Sequence, residues 1–317
     1  MDVVTIGETM VLFTPESSPL MRYAHTYSRN FGGAESNVAI GLQRLGHKAG
    51  WISKVGSDEF GKAMVSFIRG EGVDVSQVTF DPSAPTGLYF KEVRSGDNVK
   101  VEYYRKGSAA STLVPEDINE EYVSKAKYLH ISGITPALSD NCYETILKAI
   151  AVAKENDVKI VFDPNLRRKL WSETKARSVL LELASLADII LPGIDEGKFM
   201  FDEEDPIKLG KLYLQQGASL VVLKVGSKGA YYFTEDEGEL VPGFPVKQVI
   251  DPVGAGDGFA AGFISGLLDR LPVSEAVRRG NAVGALVTQF DGDYEGLPEH
   301  EELASFMDQK ETEDVKR

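Results

Sequence analysis

The sequence predicts an α/β protein, a doubly wound, mostly parallel sheet that carries a small β-sheet lid. Three observations predict it. Short β-branched runs alternate with helical stretches along most of the chain. Two of these runs, Ala187-Asp188-Ile189-Ile190-Leu191-Pro192 and Ser219-Leu220-Val221-Val222-Leu223, are apolar almost throughout, as parallel strands covered on both faces are. Between Thr86 and Ser108 that alternation gives way to a hairpin pattern with polar residues on one face. The expected organisation is a single α/β domain over 1–317, with lid strands inserted at about 9–30 and 86–108.

Val3-Val4-Thr5-Ile6-Gly7 reads as a buried first strand. From Glu8 to Tyr27 polar and apolar residues alternate around Pro15 and Pro19, which predicts exposed strands or loops rather than core. Gly32-Gly33 opens a helix in which Val38, Leu42 and Leu45 share a face, and Gly46 closes it. Trp51–Gly56 is the next strand. Gly56-Ser57-Asp58-Glu59-Phe60-Gly61-Lys62 has P-loop spacing, but Ala63 stands where a magnesium-binding hydroxyl is needed and two carboxylates would occupy the phosphate cradle, so it reads as a strand-to-helix turn. Leu88–Arg94, a Ser95-Gly96-Asp97-Asn98 turn and Val99–Arg105 form the hairpin. Tyr128–Ser132 and Lys159–Asp163 are strands, Tyr143–Asn156 is a helix, and the acidic tail Gln309–Arg317 is expected to fray.

A chain of 317 residues with 43% hydrophobic and 26% charged residues fits a globular enzyme with a large core. The net charge of −14 argues against a nucleic-acid or anionic-membrane surface. No apolar run is long enough to span a bilayer, and the start of the chain lacks the layout of a signal peptide. Cys142 is alone, which excludes an internal disulfide and a thiolate metal site; His25, His47, His130 and His300 have no metal-ligand spacing. A cytoplasmic location is expected.

The chemistry concentrates in Ile250-Asp251-Pro252-Val253-Gly254-Ala255-Gly256-Asp257-Gly258-Phe259, where a glycine-rich turn feeds a small, apolar helix. Unpaired amides at such a helix start, and the helix dipole, favour a phosphate. Asp257 is there either a helix cap or a base that accepts a proton from an attacking hydroxyl. Other turns that fall at strand ends, where ligands bind in open parallel sheets, are Gly32-Gly33, Asp163-Pro164-Asn165-Leu166-Arg167 and Lys224-Val225-Gly226-Ser227-Lys228-Gly229. The last of these also reads as a plain hairpin turn.

Two separated stretches carry a resemblance. Gly32-Gly33-Ala34-Glu35-Ser36-Asn37-Val38-Ala39 through Gly56-Ser57-Asp58-Glu59-Phe60-Gly61, and Asp251-Pro252-Val253-Gly254-Ala255-Gly256-Asp257, are similar to the two signatures of the ribokinase-like (PfkB) carbohydrate kinases, and the similarity runs from Val3 to about Pro298. The resemblance implies a ribokinase-like fold and ATP-dependent phosphorylation of a sugar hydroxyl. Asp257 would be the catalytic base, and the amides of Gly254, Ala255 and Gly256 would form an anion hole. It places ATP against Asn165, Lys224, Gly226, Gly229, Gly254, Gly256 and Asn281, with Asn281 opening a helical segment. Val253 stands where the family often has threonine. Gly193 stands where many members have the asparagine of an Asn-x-x-Glu motif, which leaves Glu196 to organise Mg²⁺ indirectly.

Gly33-Ala34-Glu35, Leu191-Pro192-Gly193, Tyr103-Tyr104-Arg105 and Arg167 resemble the branch of the family that phosphorylates 2-keto-3-deoxygluconate. That branch implies substrate contacts from Gly33, Asn37, Tyr89, Tyr103, Arg105, Arg167 and Asp257. Arginine suits a sugar acid because its fork can hold both carboxylate oxygens; otherwise Arg105 is a solvated lid charge and Tyr103 and Tyr104 are packing residues. The expected ligands are ATP, Mg²⁺ and a small sugar acid, with the lid closing to exclude water and a homo-oligomer formed through its aromatic residues. A neutral-sugar kinase such as a fructokinase, and a non-catalytic sugar or nucleotide sensor, are the alternatives.

Overall fold

The computed structural model describes residues 1–18, 20–93 and 99–308; Pro19, the expected Ser95–Asn98 turn and the expected tail Gln309–Arg317 lie outside the described residues. The strands are β1 (Val3–Ile6), β2 (Met10–Pro15), β3 (Tyr27–Gly32), β4 (Ala49–Gly56), β5 (Val78–Asp81), β6 (Leu88–Val93), β7 (Val99–Tyr104), β8 (Tyr128–Ser132), β9 (Lys159–Asp163), β10 (Ile189–Ile190), β11 (Leu220–Lys224), β12 (Gly229–Phe233) and β13 (Gly238–Pro242). Nine of them form one sheet in the order β13-β12-β11-β10-β9-β8-β1-β4-β5. All neighbours in it are parallel except β11–β12 and β12–β13, which are antiparallel.

Side chains of successive strand residues enter two different cores, as the period of two requires. Val3, Val161 and Val222 pack with helices Ala34–Arg44, Ala255–Leu268 and Val273–Val287. Val4, Ile160 and Val221 pack with helices Asp140–Glu155, Glu173–Leu186 and Pro206–Gln216 on the opposite face. That is the doubly wound arrangement, and it explains why the strands read as nearly unbroken apolar runs. The order reverses at β1, which has β4 on one side and β8 on the other. A crevice therefore opens beyond the carboxyl ends of these strands.

The second sheet has four strands in the order β3-β2-β6-β7. Met10, Leu12, Tyr89 and Val101 form a cluster on one face, and Phe13, Tyr27, Phe90 and Tyr104 make ring contacts on the other. Sequence alternation here is misleading in one respect. Residues 8–12 are buried, not exposed, because β2 lies between β3 and β6 and delivers Val11 to the main core while Leu12 joins Met10 and Tyr89 in the smaller cluster. The P-loop-like segment is a strand-to-helix turn filled by a carboxylate: Asp58 caps the helix Glu59–Gly70, accepting from the amides of Gly61 and Thr86, each at 2.8 Å.

Candidate active site

Gly254 begins the helix Ala255–Leu268 with φ of +79°, and a Cβ on it would lie 2.3 Å from the carbonyl oxygen of Asp293. Only glycine fits both conditions. Helix geometry leaves the amides of Gly256 and Asp257 without intrahelical acceptors, at the positive end of the dipole. The amide of Ala255 makes only a long contact, 3.4 Å, to Pro252 O.

Asp257 sits in this first turn, on the wall of a cavity of about 410 Å³ that opens between the two sheets. Its Oδ2 accepts from Asn37 Nδ2 at 2.8 Å. Burial pushes its carboxyl up to about 7; the Asn37 amide and the Arg167 charge oppose that rise, and the neighbouring Asp163 and Asp293 add to it. A carboxylate with this value is poised for proton transfer near neutrality, which a plain helix cap is not.

Four cations line the same cavity, and three of them are already matched. Arg105 is buried and gives Nε (2.7 Å) and Nη2 (2.5 Å) to Glu8 Oε2. Lys91 pairs with Asp251. Lys224 Nζ is 2.7 Å from Asp163 Oδ2. Arg167 is exposed, and its guanidinium makes no hydrogen bond or ion pair with the described residues. The cavity therefore presents one unpaired guanidinium, and Arg105 offers it only the remaining Nη1 edge.

Tyr89 and Tyr103 stack with ring centroids 5.7 Å apart, and Tyr89 donates to Asp293 Oδ2 at 2.9 Å. Tyr104 lies on the other face of the strand and is absent from the cavity lining. Gly33 lines the cavity as the cap of the helix Ala34–Arg44, where a Cβ would press on Glu8 O at 2.5 Å.

Two further cavities join the first at Lys224. One, about 950 Å³, is lined by Asn165, Arg167, Glu196, Gly226 and Lys228; the other, about 340 Å³ and mostly apolar, by Gly229, Phe244, Ala255, Gly256, Phe259 and Asn281. The Lys224–Gly229 turn is both things the sequence offered: it is the β11–β12 hairpin turn, and it lines these cavities. Gly226 and Gly229 have φ of +64° and +111°. Asn281 does not open a helix. It lies inside Val273–Val287, and its Nδ2 donates to Val241 O (3.0 Å) and Pro242 O (3.2 Å), tethering β13.

Glu196 accepts the amides of Leu166 (3.0 Å) and Gly193 (2.7 Å), so Gly193 supplies its backbone where a side chain would otherwise stand. Burial and the adjacent Asp163 push its carboxyl up. Each oxygen keeps a lone pair. Among the described residues no group of three or more His, Cys, Asp or Glu could hold a metal ion. The donor set, two carboxylates flanked by Lys224, fits an ion that takes most of its ligands from phosphate and water.

Asp163 opens the strand-end turn that the sequence marked for a ligand, but Glu8, Lys91 and Asp293 carried no site assignment. Glu8 stands just past the end of β1, which was an available signal; Lys91 read as one more polar hairpin residue, and Asp293 lies in an irregular turn with no pattern. Burial pushes Asp293 up to about 6, with the neighbouring Asp251 and Glu295 adding to the rise against the Tyr89 hydrogen bond and the Lys91 charge. Glu35, which the sequence placed in two motifs without a role, is wholly buried: its Oε1 accepts from Ser132 at 2.5 Å and Thr135 at 3.3 Å, and burial pushes its carboxyl up.

A model of the "pfkB family carbohydrate kinase" matches residues 1–300. The chain belongs to that family. Among curated relatives of this pfkB protein, a 2-dehydro-3-deoxygluconokinase from Bacillus subtilis (strain 168) is 44% identical over 315 residues, covering 98% of this chain and 97% of its own. Another 2-dehydro-3-deoxygluconokinase, from Thermoproteus tenax, is 34% identical over 309 residues, covering 96% and 94%. Among solved structures, a putative ribokinase II from E. coli in complex with ATP and Mg²⁺ superposes with a TM-score of 0.89 at 27% identity, covering 97% of this chain and 99% of that one. The ribokinase-like fold expected from the two signatures is thus the fold found. Among the described residues no helix is long and apolar enough to cross a membrane.

Proposed function

We propose that this pfkB kinase transfers the γ-phosphoryl group of ATP to the terminal hydroxyl of 2-keto-3-deoxygluconate, giving the 6-phosphate. The observation that carries the reading is Asp257, held by Asn37 and pushed up to about 7 at the mouth of a glycine-started helix. In the reaction the hydroxyl proton passes to an Asp257 oxygen as the O–P bond forms and the bond to ADP breaks. The amides of Gly254, Ala255 and Gly256 stabilise charge on the transferred group. Asn165, Lys224, Gly226 and Gly229 hold the nucleotide, Asn281 shapes its apolar slot, and the smaller sheet covers the sugar and excludes water. Mg²⁺ on the nucleotide neutralises phosphate charge, with Glu196 and Asp163 as the protein's carboxylates toward it.

Arg167 supports the choice of a sugar acid. A neutral sugar gives an unpaired guanidinium nothing to neutralise, whereas a carboxylate gives it a charge-assisted partner, with Arg105 Nη1, Tyr89, Tyr103 and Gly33 shaping the rest of the pocket. The same reading has a homo-oligomer in the cytoplasm, associating through the outer face of the small sheet, where Tyr104 is 61% exposed. Light scattering on the purified protein tests the assembly. For the reaction, phosphorus NMR of the product with 2-keto-3-deoxygluconate should show a phosphomonoester split by the two protons of C6; a signal on any other carbon, or none, contradicts the reading.

A further inference from the structure

One side chain of β6 crosses from the small sheet to the turn that precedes the helix Ala255–Leu268, and a second reaches the loop that packs against that turn. Lys91, 3% exposed, pairs with Asp251, 4% exposed. Tyr89, two residues earlier and therefore on the same face of the strand, donates to Asp293. Asp251 Oδ1 accepts the amide of Val253 at 3.1 Å, and the backbone carbonyl of Asp293 packs against Gly254, where a Cβ would lie 2.3 Å from it. Among the described residues the other acid within ion-pair reach of the ammonium is Asp291, 3.9 Å away and largely exposed, and the Lys91 charge also acts on Asp293 and Glu295. Both Tyr89 and Lys91 line the cavity beside Asp257, so the strand that walls the sugar site also holds the catalytic turn.

A pair buried this deeply carries a desolvation cost, and an apolar pair of the same volume is often as stable or more so. Stability alone is a weak reason for its presence. What it supplies is direction, one strand fixed against one turn.

We infer that Lys91 is a positioning residue for phosphoryl transfer: through Asp251 it holds the turn that presents the Gly254–Gly256 amides, and it ties that turn to the wall of the sugar site. The inference rests on the anion-hole reading of those amides. A shift of about 1 Å in such a group costs on the order of 100-fold in rate, so the effect belongs in kcat rather than in nucleotide affinity.

The test compares Lys91→Met, which keeps length and removes charge, with Lys91→Arg, Asp251→Asn and the Lys91→Met/Asp251→Asn double variant. Thermal melts on the same samples give the folded fraction to which kcat is normalised. Lys91→Met should lower kcat at least about tenfold, with KM for ATP within about threefold of wild type. Lys91→Arg should recover part of the loss. In the Asp251→Asn background Lys91→Met should cost far less than it does alone, because the two residues act as one unit. Should Lys91→Met not fold, Lys91→Arg and Asp251→Asn carry the comparison, with lowered kcat expected in Asp251→Asn and partial activity in Lys91→Arg. A folded Lys91→Met or Asp251→Asn enzyme with kcat within about twofold of wild type, or strictly additive losses, overturns the inference and leaves the kinase reading intact. Wild-type protein that forms no sugar-dependent ADP overturns the kinase reading and the inference with it.

Discussion

Lowering the pH places the strongest demand on Asp257. Its carboxyl is pushed from an ordinary 3.8 to about 7, so the ionised fraction is about one half at pH 7, a tenth at pH 6 and a hundredth at pH 5. If this carboxylate accepts the hydroxyl proton, kcat/KM for the sugar falls about tenfold per unit below pH 7, whereas an ordinary carboxyl would leave it flat to about pH 5. The assay is direct chromatographic ADP measurement from pH 5 to 9 at saturating MgATP, which avoids coupling enzymes with pH limits of their own. Asn37→Ala removes the hydrogen bond that holds the group down, so the acid limb moves to higher pH, and Arg167→Gln does the same by removing an opposing charge. Asp257→Asn loses about 100- to 10,000-fold in kcat. Linkage supplies a second readout. Between about 4 and 7 the folded protein binds the proton that the unfolded chain has released, so this group costs stability as pH rises through that window. Asp257→Asn should therefore melt higher than wild type at pH 8 and not at pH 4. A flat rate profile down to pH 5, or undiminished turnover in Asp257→Asn, refutes the assignment.

Arg167→Gln should raise KM for the sugar acid by about tenfold or more, since a charge-assisted bond is worth roughly 1.5–3 kcal/mol; an unchanged KM shows that the carboxylate sits elsewhere. Arg105→Ala should destabilise the fold by about 3–5 kcal/mol in denaturant titrations, because it strands the buried Glu8 carboxylate. Gly254→Ala should abolish turnover and cost at least about 1–3 kcal/mol, as it meets both the φ of +79° and the Asp293 carbonyl; near-normal activity would mean the turn is not held as described.

Much of the fold was legible because strands buried on both faces and glycine-opened helices leave strong local patterns. Gly254 and Asp257 were legible for the same reason: a turn that needs a left-handed residue and a helix that needs a start are both written locally. The partners were not. Nothing in Leu88–Arg94 distinguishes Lys91 from an exposed lysine until β6 is laid against Asp251, 160 residues away in sequence. Glu8 hides in an alternating stretch that reads as surface and becomes core only because β2 is an interior strand. This changes what a mutation at Arg105 can report. Read from sequence, loss of activity in Arg105→Ala separates a sugar-acid kinase from a fructokinase; with Glu8 beneath it, the same loss is expected of either, and Arg167 is the residue that discriminates.

Phosphoryl transfer to a sugar acid is tested by ADP formation with MgATP, comparing 2-keto-3-deoxygluconate, fructose, ribose and a sugar-free blank. Turnover on the keto-deoxy acid should stand well above that on the other three. Turnover on fructose with none on the acid would contradict it, leaving Asp257 as base and removing the carboxylate role of Arg167.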